Sequence, residues 1–560
     1  MKSDPPEPRR LAPTEWFDLA SGGTATMVSK QMERAPQQAQ IASRRCVVTM
    51  LASVLLVFSV LPVSSAPLQE PVYWDVAQQI REEIFTNTEL MDNASWLTDV
   101  FGPRVAKSPG YKAAAEWAVE KFKEYGISNS YLEPYEFGIG YVNEYISVHM
   151  MKPQYMSLLA YPATWSQGTN GKVQGPAVYL DFSQIEGEID LEPYRGRLEN
   201  ALVLTQPKQA ISTTIPLLPE GFTEEELDAM AKITVGPPNP VQSERSANRS
   251  TLPRQQIIDF VFAEGAAAIV RTDGRTDYGT VVVENNRYTL ETKPWEVDAT
   301  PHPTELVMSA EHYNRIMRIL EKGVPVEIEA NVRVSFSRND LIDHNVIAEI
   351  PGTDLAHELV IVGAHLEANP AATGAVDDAA GVVATMEAAR TLAAIGVRPR
   401  RTIRFGLWGG HEMGLFGNRH HVRTNFADPQ TKEYKEDYEN LSAYFNMDIG
   451  SGRIRGVSIM GNELVRSIFL EWMKPLRNLG MTHLFTTGLQ HEAYEEVGLP
   501  GFYFEQDRKV IDNINAHGSM DTYERLVPEG LMQSAVVLAT FAYHAAMRDE
   551  KLPRVAPRPW

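Results

Sequence analysis

Cysteine is nearly missing from this sequence: Cys46 is the only one. It stands at the head of an apolar stretch that export would remove, which would leave a chain with no disulfide and no thiolate metal site. Any metal must then be bound by histidine, aspartate and glutamate. A surplus of positive charge is missing too. Lys and Arg number 52 against 72 Asp and Glu, a net charge of −20. A phosphate backbone needs a cationic face, so this balance argues against nucleic acid as a partner. The glycine-rich pieces near Gly409 lack the lysine that a phosphate loop needs. No internal repeat divides the chain.

What is present is enough for several folded units. At roughly 150 residues per domain, 560 residues imply two or three. Hydrophobic residues make up 43% and charged residues 22%, the balance of a globular protein. Near the N-terminus, Arg44-Arg45 leads into an apolar run from Val47 to about Val63, followed by Ser64, Ser65 and Ala66. Charge, apolar core and small residues, in that order, describe a secretory signal, and a retained membrane anchor is the alternative. Either places the bulk of the chain outside the cytoplasm, in a periplasmic or extracellular space, with the membrane touched only through that anchor.

The texture then changes along the chain. Tyr111–Tyr125 has helical spacing. From about Tyr131 to Phe336 the pieces are short, β-rich and interrupted by prolines, and QQIIDFVFAEGAAAIV (255–270) reads as a helix followed by a strand. From Leu341 the pattern is strand, helix, strand, which predicts an α/β fold: a mixed, mostly parallel sheet flanked by helices. The expected division is 1–66 as extension and signal or anchor, 67–135 and 337–548 as two parts of one α/β domain, 136–336 as a β-rich insertion, and 549–560 as a tail.

Three predicted strands lead to candidate metal ligands. Leu359–Val362 runs to His365, Thr402–Trp408 runs through Gly409-Gly410 to His411-Glu412, and Leu441–Met447 runs to Asp448. In open α/β sheets the site lies beyond the carboxyl ends of the strands. Asp377 and Asp378 sit in a small-residue loop, GAVDDAAGV, that opens a helix, near its positive end. His517 lies far downstream. Any one of these residues is more often a cap or a structural side chain, but the joint pattern is not. Histidine with carboxylate suits zinc, and also manganese or cobalt. Two metals about 3.5–4 Å apart can share an Asp and polarise a carbonyl together.

The segments GAHLEA, GAVDDAAGV, GLWGGHEMGLFG, YFNMDIGSG and AHGSMDTYERL, in this order, resemble the di-zinc aminopeptidases and plasma glutamate carboxypeptidases. VGLPGFYFEQD is similar to the carboxypeptidase side of that family, and the intervening region resembles a protease-associated domain. The resemblance implies a zinc exopeptidase fold with two zinc ions. His365 and Asp448 would hold one, Glu412 and His517 the other, and Asp377 would bridge them. A cis peptide would follow the bridging residue, at Asp377–Asp378. Asp378 and Asp521 would support the ligands from behind, and His491 and Tyr494 would line the pocket for a short peptide substrate.

Two positions depart from the family. Where it places two glutamates after the glycines, a general base and then a ligand, this chain has His411-Glu412. Where it places Asp two residues after the first histidine, this chain has Glu367. General-base catalysis is typically worth about 10²–10⁴-fold, and a disturbed supporting shell about 10–100-fold. Three readings follow. His411 serves as the base, or a carboxylate such as Glu367, Glu492 or Glu495 does, or the fold binds metal and peptide with little turnover. The expected activity is hydrolysis of terminal peptide bonds. The rival is a catalytically impaired binding protein, and cyclisation of N-terminal glutamine by a single-zinc relative is a more distant one.

Overall fold

The computed structural model describes residues 70–211, 221–234, 252–273, 278–284, 293–487, 493–507 and 516–555. The expected signal or anchor with Cys46, and also His491, Glu492 and residues 556–560 of the tail, lie outside the described residues.

Sixteen strands are found among them. In chain order they are β1 (Asn129–Glu136), β2 (Gly140–Lys152), β3 (Met156–Ser157), β4 (Ala160–Pro162), β5 (Val173–Tyr179), β6 (Leu202–Leu204), β7 (Ala268–Arg271), β8 (Glu305–Met308), β9 (Glu327–Ser337), β10 (Ile342–Ile350), β11 (Leu355–His365), β12 (Arg401–Trp408), β13 (Leu441–Asn446), β14 (Ile454–Ser458), β15 (His483–Phe485) and β16 (Gly501–Gln506). They form two eight-stranded sheets. The first has the order β1-β10-β12-β11-β13-β16-β14-β15, and the second β3-β2-β9-β5-β6-β7-β8-β4. The chain enters the second sheet between Glu136 and Gly140 and leaves it between Ser337 and Ile342.

The centre of the first sheet is parallel, as the strand–helix–strand pattern predicts: β11 pairs in parallel with both β12 and β13, and β13 with β16. Its outer pairs β1/β10, β10/β12 and β14/β16 are antiparallel. The central strands read as continuous apolar runs because both faces are covered. Side chains alternate across the sheet. Val360, Val362, Phe405 and Phe445 join one core with Ile80 and Ile84 of the helix Trp74–Asn87, Val382 and Met386 of Ala380–Ala394, and Phe541 of Pro528–Met547. Leu359, Ile361, Trp408 and Tyr444 face the other way, onto Val422 and Phe426 at the helix Phe416–Asn425. The helix Pro528–Met547 is long and apolar enough to cross a membrane, but here nearly all of it is buried as a core element.

In the second sheet the segment 255–270 contributes the helix Arg254–Ala263 and then β7, the order its pattern predicts.

Candidate metal centre

The carboxyl ends of the parallel strands deliver the polar residues. β11 ends on His365, and β13 stops at Asn446, two residues before Asp448. β12 is followed by Gly409 and Gly410. A Cβ on Gly409 would stand 2.3 Å from Tyr111 Oη and 2.4 Å from Tyr135 Oη, and Gly410 has φ +61°. Only a bare backbone turns there under the two tyrosines, and the turn brings His411 and Glu412 to the sheet edge. Asp377 and Asp378, joined by a cis peptide, precede the helix Ala380–Ala394. His517 arrives from the loop ahead of the last helix with φ +63°, a left-handed conformation uncommon for histidine.

These side chains converge. His365 Nε2 lies 2.9 Å from Asp377 Oδ1 and 3.3 Å from Asp448 Oδ1. His517 Nε2 lies 2.9 Å from Asp377 Oδ2 and 2.8 Å from Glu412 Oε1. Asp377 thus stands between two histidines with one oxygen toward each. His365, Asp377 and Glu412 bring one ligand atom each within 4.8 Å of one another, and so do His365, His411 and Asp448. The His411 ring stacks on His365 with centroids 4.2 Å apart and planes 9° apart, and its Nε2 is 3.5 Å from Asp448 Oδ2.

Hydrogen bonds behind the centre fix its orientation. The Glu367 carbonyl can only accept, so His365 Nδ1 donates to it at 3.0 Å and leaves Nε2 its lone pair. The main-chain carbonyl of residue 367, and not its side chain, orients His365. The Glu367 carboxylate instead accepts the Glu412 N–H at 2.8 Å. Asp378 accepts the N–H groups of His365 (3.2 Å) and Gly381 (2.8 Å). Asp521 accepts those of Val376 (2.6 Å) and Asp377 (3.2 Å).

The electrostatics show a deficit of positive charge. Burial alone depresses His365, yet Asp448 and Asp377 beside it hold it well above the usual histidine range. For His517, burial is outweighed by Glu412 and Asp377, and the ring is strongly raised. Burial pushes Glu367 up to about 8, with Glu412 adding, and Asp521 up to about 7. Asp378 is raised well above the carboxylate range by burial, with Asp448 and Asp377 adding. Asp448 Oδ1 is buried beside His365 Nε2 without hydrogen-bond geometry. A buried centre that holds protons on its imidazoles and on the carboxylates behind them fits cations, and its donor set of nitrogen and oxygen fits zinc.

Tyr494 does not line this centre. It is fully buried, stacked on Tyr444 at 4.1 Å, because its short helix Ala493–Glu496 packs against the helix Phe416–Asn425 and turns the ring into the core on that face of the sheet. His421 is likewise structural, buried with Nδ1 2.9 Å from Glu133 Oε1. Three supporting residues escaped the sequence reading. Asn369 donates to Glu412 Oε1 at 2.9 Å. Glu284, just after the bridge between Val282 and Gly518, lies 3.4 Å from His517 Nδ1. Arg104 is buried among the backbone carbonyls around the centre. Asn369 follows His365 by four residues and stood within reach of a motif reading. The other two carry no local signal.

Comparison with known proteins agrees with this geometry. The model of peptidase family M28 matches residues 345–542. Carboxypeptidase Q of Xenopus laevis is 27% identical over 267 residues, 46% of this chain and 53% of that protein, so the match spans about half of that relative. Carboxypeptidase Q of Bos taurus is 23% identical over 475 residues, 82% of this chain and 85% of the relative. Among solved structures, a peptidase M28 precursor from Shewanella amazonensis shares the fold with TM-score 0.61 at 22% identity, over 87% of this chain and 99% of that one. A zinc aminopeptidase from Bacillus subtilis shares it with TM-score 0.51 at 15% identity, over 82% and 95%. Residues 345–542, which carry the match to peptidase family M28, include His365, Asp377, Glu412, Asp448 and His517.

Proposed function

We propose that this chain is an exported zinc-dependent exopeptidase that hydrolyses terminal peptide bonds of short peptides. One observation carries the reading: Asp377 offers one oxygen to His365 and the other to His517, each at 2.9 Å, with Asp448 and Glu412 completing the two flanks. His365 and Asp448 would hold one zinc, Glu412 and His517 the other, with Asp377 between them. Zinc bound there would polarise the scissile carbonyl and make water acidic enough to attack near neutral pH. The chain's own residues supply the rest. Asp378 and Asp521 fix the backbone that aims His365 and Asp377. Asn369 holds Glu412 in place. The names of the relatives, carboxypeptidase Q and zinc aminopeptidase, support peptides as the substrate class. Export rests on the charge-apolar-small order of residues 44–66, and residues 136–336 are read as the inserted β-rich unit.

The test uses purified full chain with measured zinc content, assayed on dipeptides, aminoacyl-anilides and N-blocked peptides. The expected result is turnover that is abolished by a chelator, restored by zinc, and lost by several orders of magnitude in Asp377→Asn. Zinc bound without turnover on any of these substrates would favour the rival, a metal- and peptide-binding protein that does not catalyse. Turnover unaffected by complete metal removal would refute the reading.

A further inference from the structure

We propose that Glu367 and Asn369 are positioning residues for Glu412, and that together they tie the Glu412–His517 flank of the centre to the strand end that carries His365. The inference rests on the metallopeptidase reading and deepens it. It gives a role to residue 367, one of the two positions at which the chain departs from the family it resembles.

Three observations carry it. The first is that Glu412 is held at both ends from one short stretch of chain. Its N–H donates to Glu367 Oε1 at 2.8 Å, and its side-chain Oε1 accepts from Asn369 Nδ2 at 2.9 Å. That same Glu412 oxygen lies 2.8 Å from His517 Nε2, so the two bonds set the orientation of a carboxylate already facing its partner. The second is that residue 367 serves both flanks. Its carbonyl accepts from His365 Nδ1 at 3.0 Å, while its carboxylate crosses to Glu412. The third is that the stretch is pinned on either side of residue 367. The Leu366 N–H donates to Trp408 O at 2.7 Å, and the Ala368 N–H donates to Arg104 O at 3.1 Å. Glu367 is itself fully buried. The backbone therefore cannot follow a change of side chain, and reach decides. A carboxylate one methylene shorter would retreat by about 1.5 Å, to roughly 4 Å from the Glu412 N–H, beyond hydrogen-bond distance. Glutamate is the carboxylate long enough to cross from one flank to the other.

The test is chelator competition on the zinc-loaded full chain, for wild type, E367D, E367Q, N369A, H517A and the double variant of H517A with E367D. In E367D and in N369A, one zinc should bind about 10–100-fold more weakly while the other keeps its wild-type affinity. E367Q keeps the length and an accepting oxygen, and should hold both ions as the wild type does. In H517A only the zinc of His365 and Asp448 stays tight, and adding E367D should change that affinity by less than about twofold. E367D or N369A holding both ions at wild-type affinity overturns the inference. So does an E367Q as weak as E367D, which would make charge and not reach the cause. So does a loss carried into the H517A background, which would place the Glu367 carboxylate behind His365. Each of these leaves the metallopeptidase reading standing. A folded wild-type chain that takes up no divalent metal overturns both. Should E367D fail to fold by circular dichroism, E367N, equally short and uncharged, takes its place with the same expected loss.

Discussion

Arg104 is the most exacting place to perturb this centre without touching a ligand. Its guanidinium is fully buried and donates only to backbone carbonyls. Nε bonds Leu366 O at 2.8 Å, Nη2 bonds Gly374 O at 2.9 Å, and Nη1 serves Leu97 O, Gly102 O and Thr373 O at 2.9, 3.3 and 2.7 Å. Leu366 directly follows His365, and Thr373 and Gly374 lead into the turn of Asp377. One side chain thus ties the backbone of one ligand to that of another. Burial brings its pKa down to about 10, opposed by Asp521, Asp378 and Asp377, so it stays charged at neutral pH. In Arg104→Lys a single ammonium with three donors replaces a fork with five. At least two carbonyls lose their partner. Each lost bond to a charged donor is worth about 1.5–3 kcal/mol, and each stranded carbonyl adds to the penalty, so a loss of at least about 3 kcal/mol is expected. Guanidinium unfolding of the metal-free chain should show that loss, and zinc affinity should fall about 10–100-fold as Asp377 and His365 lose their common support. KM for peptide should move little against kcat. An Arg104→Lys chain within about 0.5 kcal/mol of wild type in stability and equal to it in zinc affinity would refute this account.

Glu284→Gln removes the charge 3.4 Å from His517 Nδ1 while keeping the side chain's length. Zinc affinity should fall about 10–100-fold in chelator competition, and an unchanged affinity would dismiss Glu284 as a support for that ring. His544 gives a pH test far from the centre. Its Nδ1 donates to Thr540 O at 2.7 Å and its Nε2 accepts the Tyr73 N–H at 3.1 Å, so only the neutral ring satisfies both. Burial brings its pKa down to about 4. The folded chain therefore binds fewer protons than the unfolded one between about pH 6.5 and 4. Stability should decline as the pH falls through that window, by about 3 kcal/mol from this residue. His544→Gln should remove that part of the slope in denaturant titrations at each pH. Identical slopes in the two proteins would refute it.

The residues that converge at the centre were legible because their signal is local. A histidine or carboxylate at the end of an apolar strand stands out from the run before it. His365, Glu412 and Asp448 each end such a run, and Asp377 marks the start of a helix. Their supports were not legible, for a physical reason. Arg104 and Glu284 reach the centre through contacts more than a hundred positions away, and residue 367 orients His365 through a main-chain carbonyl that every residue type carries, so no periodicity encodes them. Tyr494 was misplaced for the converse reason. A polar-tipped aromatic near a motif reads as pocket lining, but its helix turns it onto Tyr444 in the core. The parallel sheet was readable from its doubly apolar strands, whereas the side of the centre that His411 serves was not. Its neighbour Glu412 is adjacent in sequence and reaches the opposite flank.

His517 shows why the second sheet's part of the chain bears on the centre. A histidine at φ +63° holds an unfavourable backbone conformation, at a cost of order 1–3 kcal/mol that surrounding contacts must offset. Those contacts come from residues 281–284. Val283 donates its N–H to His517 O at 3.1 Å, Ser519 donates its N–H to Val281 O at 2.9 Å, and Val281 donates its N–H to Ser519 Oγ at 3.0 Å. Glu284 then faces the other side of the same ring. His517 is therefore held in register by a segment more than two hundred residues earlier in the chain, and His365 by Arg104 from further still. Deleting residues 136–336 would remove the partner of the His517 loop. A chain so shortened should lose the flank of Glu412 and His517 before that of His365 and Asp448, because His365 keeps Arg104, Asp378 and the Glu367 carbonyl.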